Sequence, residues 1–513
     1  MPKVAAVVLN SVSRDARVLK EADSLAAAGH DVTVFGIRDN RDSTPEDTRE
    51  SGARIVRVDW KAQSYRSIAR FLRVVTVIIC VPLLLLAFAA GDRLSAVIEW
   101  AVTPLTTGAL LTGAGLYVAR LGLVAAEGFS RSAAIVDASH GHAITTPPRR
   151  LSRWHPRRFV AALRRHLRGT RRPLGGIWKR LRVWLARRFG RVALERELVR
   201  QLRAHQPDVI HCHDLITVPV GIRAKRATGA KLVYDAHEIY EEVSQLSEWR
   251  RRRFRLMQRR VSGHVDAFIT VNDHIHDYLR ARYPKLPEGA VVCNAVLAPE
   301  DPPTDDGRLR IAAGVDAGQR IVLYQGGFAR FRGLDILVRS APLLPDDWTL
   351  VMMGWGAYEA ELLRIADEVD PHRERVRFIP GAPHAELRSW TAGADLGAIP
   401  YENVCLNHWF CSPNKLWEYP SAGVPILASP YPVLSEMVLG NEIGVLLDDP
   451  ATPIGIAEAV GALTPAALAT MRENAIAFVA GDNWSIYEAR LISTYEGMRE
   501  GATPRSRTSA GSP

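Results

Sequence analysis

Two histidine–acid pairs close apolar runs in the first half of the chain: His213-Asp214 after Val209-Ile210, and His237-Glu238 after Leu232-Val233-Tyr234. Residues at the C-terminal ends of parallel strands face the ligand crevice of an open α/β sheet, so all four are placed to meet a substrate. An imidazole there hydrogen-bonds a reacting hydroxyl or phosphate oxygen. His237 is the first choice for the catalytic histidine and His213 the second, with Asp214 beside them. Glu238, with Asp15 and Arg17, which open the first expected helix, lies on the same half as these histidines and could read a second substrate, although an Asp at a helix start also serves as a cap. The second half carries chemistry for an anion. Gly326-Gly327 follows an apolar run, lets backbone amides approach a diphosphate, and precedes Arg330 and Arg332, whose cations stabilise a departing phosphate. Glu418 opens a helix after the turn at Pro413-Asn414 and presents a carboxylate to hydroxyl groups. No HExxH or DxD pattern ends a strand, and His211-Cys212-His213 aligns its histidines but not its cysteine, so no metal site is expected. The five cysteines form no CxxC pair, which argues against a zinc ribbon or a disulfide scaffold.

The elements that must hold these residues follow from periodicity. Lys3 to Leu9 reads as a buried strand and not as a signal peptide, Asp15 to Ala28 as a helix closed by Gly29, and Val32 to Gly36 as a second strand, which makes a βαβ unit. The alternation stops near Trp60 and resumes near Leu194, with strands at 209–211, 231–234, 267–271 and 291–293. A Pro/Asp-rich linker at 298–309 leads to a second alternating set at 321–324, 349–353, 376–378, 396–399 and 425–428. The fold class is therefore α/β, with two Rossmann-like domains facing a cleft. Residues 1–58 and 194–300 build the first, 309–482 the second, and a helix at 483–499 crosses back, with apolar Ile486, Ala489, Leu491, Ile492 and Tyr495. The tail at 500–513 reads as disordered.

The chain has 513 residues, 47% of them hydrophobic, and a net charge of +11. Sixteen Lys and Arg and no acid fall between Arg149 and Leu194, so the remainder sums to −5. This stretch ends an insertion at 59–193 that also holds two uncharged runs, Val74–Gly91 and Trp100–Ala119. As helices they reach ~27 and ~30 Å, the thickness of a bilayer's hydrocarbon layer. A buried hairpin of a soluble protein and a re-entrant hairpin are the alternatives. Arginines opposite Phe159, Leu163, Trp178, Trp184 and Leu185 describe helices on an anionic membrane surface through residues 66–192. Stacking on single-stranded nucleic acid is the weaker reading, and no nucleic-acid partner is expected. Basic flanks on both sides of the hairpin place the catalytic domains at the cytoplasmic face of the cell membrane.

An ordered set of motifs resembles the retaining GT-B glycosyltransferases of family 4. It comprises Arg14-Asp15-Ala16-Arg17-Val18, the two histidine motifs, Tyr324-Gln325-Gly326-Gly327 with Arg332-Gly333-Leu334-Asp335, Met353-Gly354-Trp355-Gly356, Phe378-Ile379-Pro380-Gly381, and Ser412 to Tyr419 leading into Ala422-Gly423-Val424-Pro425. The resemblance implies metal-independent transfer of a sugar from a nucleotide-diphosphate donor, with no cofactor. It implies that Glu418 accepts the ribose hydroxyls, that Gly326, Gly327, Arg330, Arg332, Pro380 and Gly381 line the donor site, and that the leaving phosphate helps remove the acceptor proton. A second Glu eight residues earlier is common in the family. Here it is Phe410, which passes the sugar contact to Asn407, His408, Asn414 or Lys415. Since the insertion sits in the acceptor half, a lipid-linked glycan or polysaccharide precursor is the expected acceptor. A nucleotide-sugar 2-epimerase of the same fold, or a non-catalytic membrane-anchored partner of another transferase, are the alternatives.

Overall fold

The computed structural model describes residues 2–13, 15–38, 44–59 and 190–500. The expected hairpin, most of the arginine-rich stretch and the tail lie outside these residues. The chain divides into two compact units, Met1–Val58 with Leu198–Pro513, and Asp59–Glu197. The first unit contains both sheets.

In the first sheet β1 (Lys3–Val7) is central, pairing in parallel with β2 (Asp31–Ile37) on one side and β5 (Val209–His213) on the other. Beyond β2 lie β4 (Arg54–Val58) and the antiparallel edge strand β3 (Glu46–Thr48). Beyond β5 lie β6 (Lys231–Ala236), β7 (Ala267–Thr270) and β8 (Gly289–Val291). The apolar runs of β1, β2, β5, β6 and β7 are buried on both faces, the signature of a sheet covered by crossover helices. The order reverses at β1/β5, so the crevice opens beside Asn10 and His213. In the second sheet β9 (Arg320–Gly327) continues to β10 (Trp348–Trp355) and β11 (Val376–Pro380). The chain then returns to the other side of β9 as β12 (Leu396–Ile399), β13 (Ile426–Ala428) and β14 (Gly444–Leu446). Its switch point, β9/β12, lies at Gly326-Gly327 and Tyr401.

Several local expectations shift. The strand expected at 291–293 ends at Val291, because the Val292 carbonyl turns to accept a hydrogen bond from Nη1 of Arg17 at 2.6 Å. Strands β3, β4 and β14 lie outside the expected set: β14 spans three residues, β4 carries Ile55, Val56 and Val58 beside two arginines, and all three residues of β3 are exposed. The helix Trp484–Glu500 packs against the first lobe: Trp484 Nε1 donates to Ser24 Oγ at 2.8 Å, and the Tyr495 hydroxyl lies 2.7 Å from His211 Nδ1. Its buried stripe is Trp484, Tyr487, Leu491 and Tyr495, while Ile486 is 40% exposed. Positive charge is also not confined to one stretch. The helix Glu248–Ser262 carries seven arginines against one glutamate and exposes Trp249 and Leu256.

Candidate active site

Both switch points open onto one cleft of about 1430 Å³ between the lobes. On the second lobe, Gly326 has φ +111, a backbone state that side chains avoid, and a Cβ there would stand 3.3 Å from Nζ of Lys415. Gly333 is more constrained: its φ is +65, and a Cβ would meet the Pro400 carbonyl oxygen at 1.8 Å. That contact seats the loop carrying Arg332 against the end of β12. Arg332 lines the cleft, donates to the Gly327 carbonyl at 3.3 Å and lies over the Tyr401 ring. Lys415 is 7% exposed and its ammonium sits 5.1 Å from the Tyr324 ring centroid. Neither cation meets a carboxylate among the described residues. With Lys415 buried, Arg332 half-buried and no carboxylate in contact with either, this wall favours an anion.

Arg330 departs from expectation. It is exposed, stacks over Tyr358 and is not part of the cleft lining, because Phe331, at φ +64, turns the loop between the two arginines. Glu418 lines the cleft in the first turn of the helix Lys415–Ser421, and Gln325 Nε2 donates to its Oε2 at 3.1 Å. Pro380, Gly381, Asn407 and Asn414 also line it, with Trp355 presenting a half-exposed ring beside Gly381.

Phe410 is not part of this lining. Its ring stacks on His274 of the first lobe, with centroids 5.2 Å apart and planes 13° apart, and its carbonyl accepts from Asn272 Nδ2 at 2.9 Å. Asn407 serves the lobes too: its amide bonds both the N–H and the carbonyl of Ile239, at 2.7 and 3.0 Å. His408 Nδ1 lies 2.9 Å from the Glu402 carbonyl. Of the four residues expected to replace the missing Glu, Asn414 and Lys415 keep polar atoms for a ligand.

On the first lobe, His237 and Glu238 face the cleft, whereas His213 is 1% exposed and stacks on His211 at 4.3 Å. The expectation that His213 meets the ligand is therefore corrected: strand alternation puts it on one face with His211, behind His237. Asp214 is also set back, its Oδ1 3.8 Å from His237 Nδ1. At the centre is Asp235, fully buried. Its Oδ2 lies 3.0 Å from His237 Nε2 and 3.3 Å from His213 Nδ1, and Arg17 binds both of its oxygens, at 2.9 and 3.0 Å. Arg17 is thus 7% exposed and engaged by Asp235, although it still borders the recess next to Asp15 and His237. Asp15 caps the first helix through Val18 N and lines a shallow recess with His237, Asn294 and Asn414.

Burial disfavours a charge on His237, but the carboxylates of Asp235 and Asp214 outweigh it and raise its pKa to about 9. Burial, and then Asp214, push the Glu238 carboxyl up to about 7. Arg17 and His237 overcome burial at Asp235 and keep it ionised far below the usual carboxylate range. Glu21, His211, His213 and Asp235 bring four ligand-type atoms within 4.8 Å of one another. The Arg17 guanidinium already occupies this cluster, lying 3.0 Å from Glu21 Oε1 as well as binding Asp235, which leaves the group a poor metal cage. Asp235 was legible: two residues before His237 in an extended run, it shares that residue's face. Gln325 and Tyr401 carry no such signal, since their roles depend on β9 and β12 meeting.

The model described as Glycosyltransferase Family 4 matches residues 171–296, and that described as Glycosyl transferases group 1 matches residues 319–464. The D-inositol 3-phosphate glycosyltransferase 1 of Catenulispora acidiphila is 27% identical over 318 residues, 58% of this chain and 74% of that protein. Among solved structures, sucrose-phosphate synthase of Thermosynechococcus elongatus superposes with a TM-score of 0.60 at 16% identity, covering 98% of this chain and 100% of that one. Anabaena HepE in complex with UDP and glucose does so with a TM-score of 0.59 at 13% identity, over 97% and 100% of the chains.

Proposed function

We propose that this chain, which belongs to the family 4 glycosyltransferases of GT-B fold, moves a hexose with retention from a nucleotide-diphosphate sugar to a lipid-linked glycan acceptor at the cytoplasmic face of a membrane. The observation that carries the donor half of this reading is the buried Lys415 with the half-buried Arg332 beside Gly326-Gly327, neither in contact with a carboxylate among the described residues. A diphosphate supplies the missing anion, with Glu418 on the same wall to take ribose hydroxyls. HepE, of the same fold, is described with UDP and glucose bound, which accords with this assignment.

Transfer then proceeds as charge migrates to the leaving phosphate. Lys415, Arg332 and the amides after Gly326 stabilise that charge, and the imidazolium of His237 donates to the reacting groups from across the cleft. With a pKa of about 9, His237 holds its proton at neutral pH and is a poor base. The leaving phosphate oxygen takes the acceptor proton, and no step calls for a metal.

The membrane half rests on charge and apolar surface. The uncharged runs at 74–91 and 100–119 match a bilayer in length. The helix Glu248–Ser262 adds seven arginines around exposed Trp249 and Leu256 on the lobe that carries His237. Membranes incubated with labelled nucleotide sugars should pass label into the lipid extract, and deletion of 59–193 should abolish that transfer. Label confined to water-soluble acceptors, or a full rate without the insertion, overturns the lipid assignment.

A further inference from the structure

His237 and Glu238 form a short link between two anchors. On the near side Ala236 ends β6 paired with Thr270, whose Oγ1 donates to the Ala236 carbonyl at 2.9 Å. On the far side Ile239 is fully buried, and its backbone N–H donates to Oδ1 of Asn407 at 2.7 Å. The Ile239 carbonyl accepts from Nδ2 of the same side chain at 3.0 Å and from the Glu242 N–H at 2.8 Å. Asn407 belongs to the second lobe, on the short helix Leu406–Trp409. One anchor of the histidine is therefore internal to its own lobe, and the other comes from across the cleft.

The same stretch of the second lobe meets the first at two further strand ends. Asn272, after β7, donates to the Phe410 carbonyl at 2.9 Å, and Asn294, after β8, donates to the Ser412 carbonyl at 3.5 Å. The ends of β6, β7 and β8 are thus each tied by an amide side chain to residues 407–412. Lys415 of the donor wall follows Asn407 by eight residues. A buried N–H without a partner is costly, so the Ile239 amide favours the arrangement in which Asn407 stands against it. By bonding both backbone groups of one residue, Asn407 fixes the orientation of Ile239 as well as its distance.

We propose that Asn407 is a positioning residue for the reaction: by holding Ile239 from the donor lobe, it keeps the imidazole of His237 on Asp235 and at the cleft. This rests on the reading of His237 as the group that meets the reacting atoms. His237 Nε2 lies 3.0 Å from Asp235 Oδ2 and the ring is two residues from the anchored Ile239, so loss of the outer anchor lets the ring leave that carboxylate. The imidazolium is then complete only while the donor lobe is in place, and His237 and Lys415 are set against each other through one short stretch of chain. The resemblance gives Asn407 a sugar contact, and holding Ile239 is a different task for the same side chain. Asp235, Asp214, Glu238, Glu21, Arg17 and His213 are the titratable groups that act on the ring, and substitution of Asn407 leaves all of them present. A change at His237 in such a variant therefore reports its position.

The test is an NMR titration of the His237 imidazole in the detergent-solubilised full chain, isotope-labelled at histidine, without nucleotide. The His237 signal is the one missing from His237→Ala. Its midpoint in the native chain should lie near 9. In Asn407→Ala the midpoint should fall by at least about one pH unit, a roughly tenfold loss of proton affinity. Phe410→Ala removes a lobe contact but spares the bonds to Ile239, and should leave the midpoint within about 0.3 of native. If Asn407→Ala does not fold, Asn407→Ser, too short to bond both groups of Ile239, decides. An unmoved midpoint in the Asn407 variant overturns the proposal. Equal falls in Asn407→Ala and Phe410→Ala overturn it too, because lobe contact alone would then set the ring. No nucleotide enters the measurement, so its failure leaves the donor reading of Lys415 and Arg332 standing.

Discussion

Oδ2 of Asp235 lies 3.0 Å from Nε2 of His237, and the same carboxylate is held from behind by the guanidinium of Arg17. The cleft histidine is thereby fixed in orientation and kept charged by a group that never meets substrate. Asp235→Asn removes the charge but keeps the shape. The His237 pKa should then fall from about 9 toward the ordinary value near 6.5. In the native chain the rate should hold through neutral pH and decline above about 9. In the variant the decline should begin about two units lower, with kcat at pH 8 reduced ~10- to 100-fold. A pH–rate profile reads this, and an unmoved alkaline limb would show that Asp235 does not set the charge.

The same pair fixes a sign for stability. A histidine whose folded pKa is raised adds stability that is complete below its unfolded value near 6.5 and is lost as pH rises through about 9. Glu238 follows the same rule for another reason, since the fold favours its neutral form. Its contribution is complete below the unfolded value near 4.5 and is lost as pH rises through about 7. Glu238→Gln should therefore gain on the order of 1–2 kcal/mol at pH 8 and nothing at pH 4, measured by urea unfolding at both pH values.

The two arginines after the glycine turn should separate cleanly. Arg332→Ala removes a cation from the cleft wall and should weaken UDP binding ~30-fold or more. Arg330→Ala removes an exposed charge over Tyr358 and should change binding less than about twofold. Titration calorimetry distinguishes them, and equal losses would mean that the loop turns inward on binding.

Phe410 packs between lobes and does not read the sugar. Phe410→Ala should cost about 1–2 kcal/mol of stability through the lost contact with His274, with UDP affinity unchanged within about threefold. Phe410→Glu should bring no gain in transfer, because position 410 faces the other lobe. A marked rise in rate on restoring the acid would contradict that placement.

How far the sequence reveals this molecule depends on whether a feature is local. The β1–helix–β2 unit, Gly29 and Glu418 are readable because strand period, helix period and turn chemistry act within a few residues. Family motifs single out the wall that carries Gly326, Arg332, Lys415 and Glu418. They could not show that Arg330 points away while Arg332 points in, since one backbone turn at Phe331 decides it. His213 and His237 look equivalent as strand-end histidines, yet only His237 reaches the cleft, because the stack of His211 on His213 holds the latter inside. Phe410 reads as a lost carboxylate. Its partner His274 is 136 residues distant in the chain and no local pattern links them. Arg17 reads as a surface ligand at a helix start, until β6 places Asp235 beneath it.

The central claim is that Lys415, buried and in contact with no carboxylate among the described residues, completes its site with a nucleotide diphosphate. Titration calorimetry of UDP and of GDP against the native chain and Lys415→Met tests it directly. Binding of at least one nucleotide to the native chain, weakened ~30-fold or more in the variant, is the predicted result. No binding of either nucleotide, or equal affinity in both proteins, would contradict it.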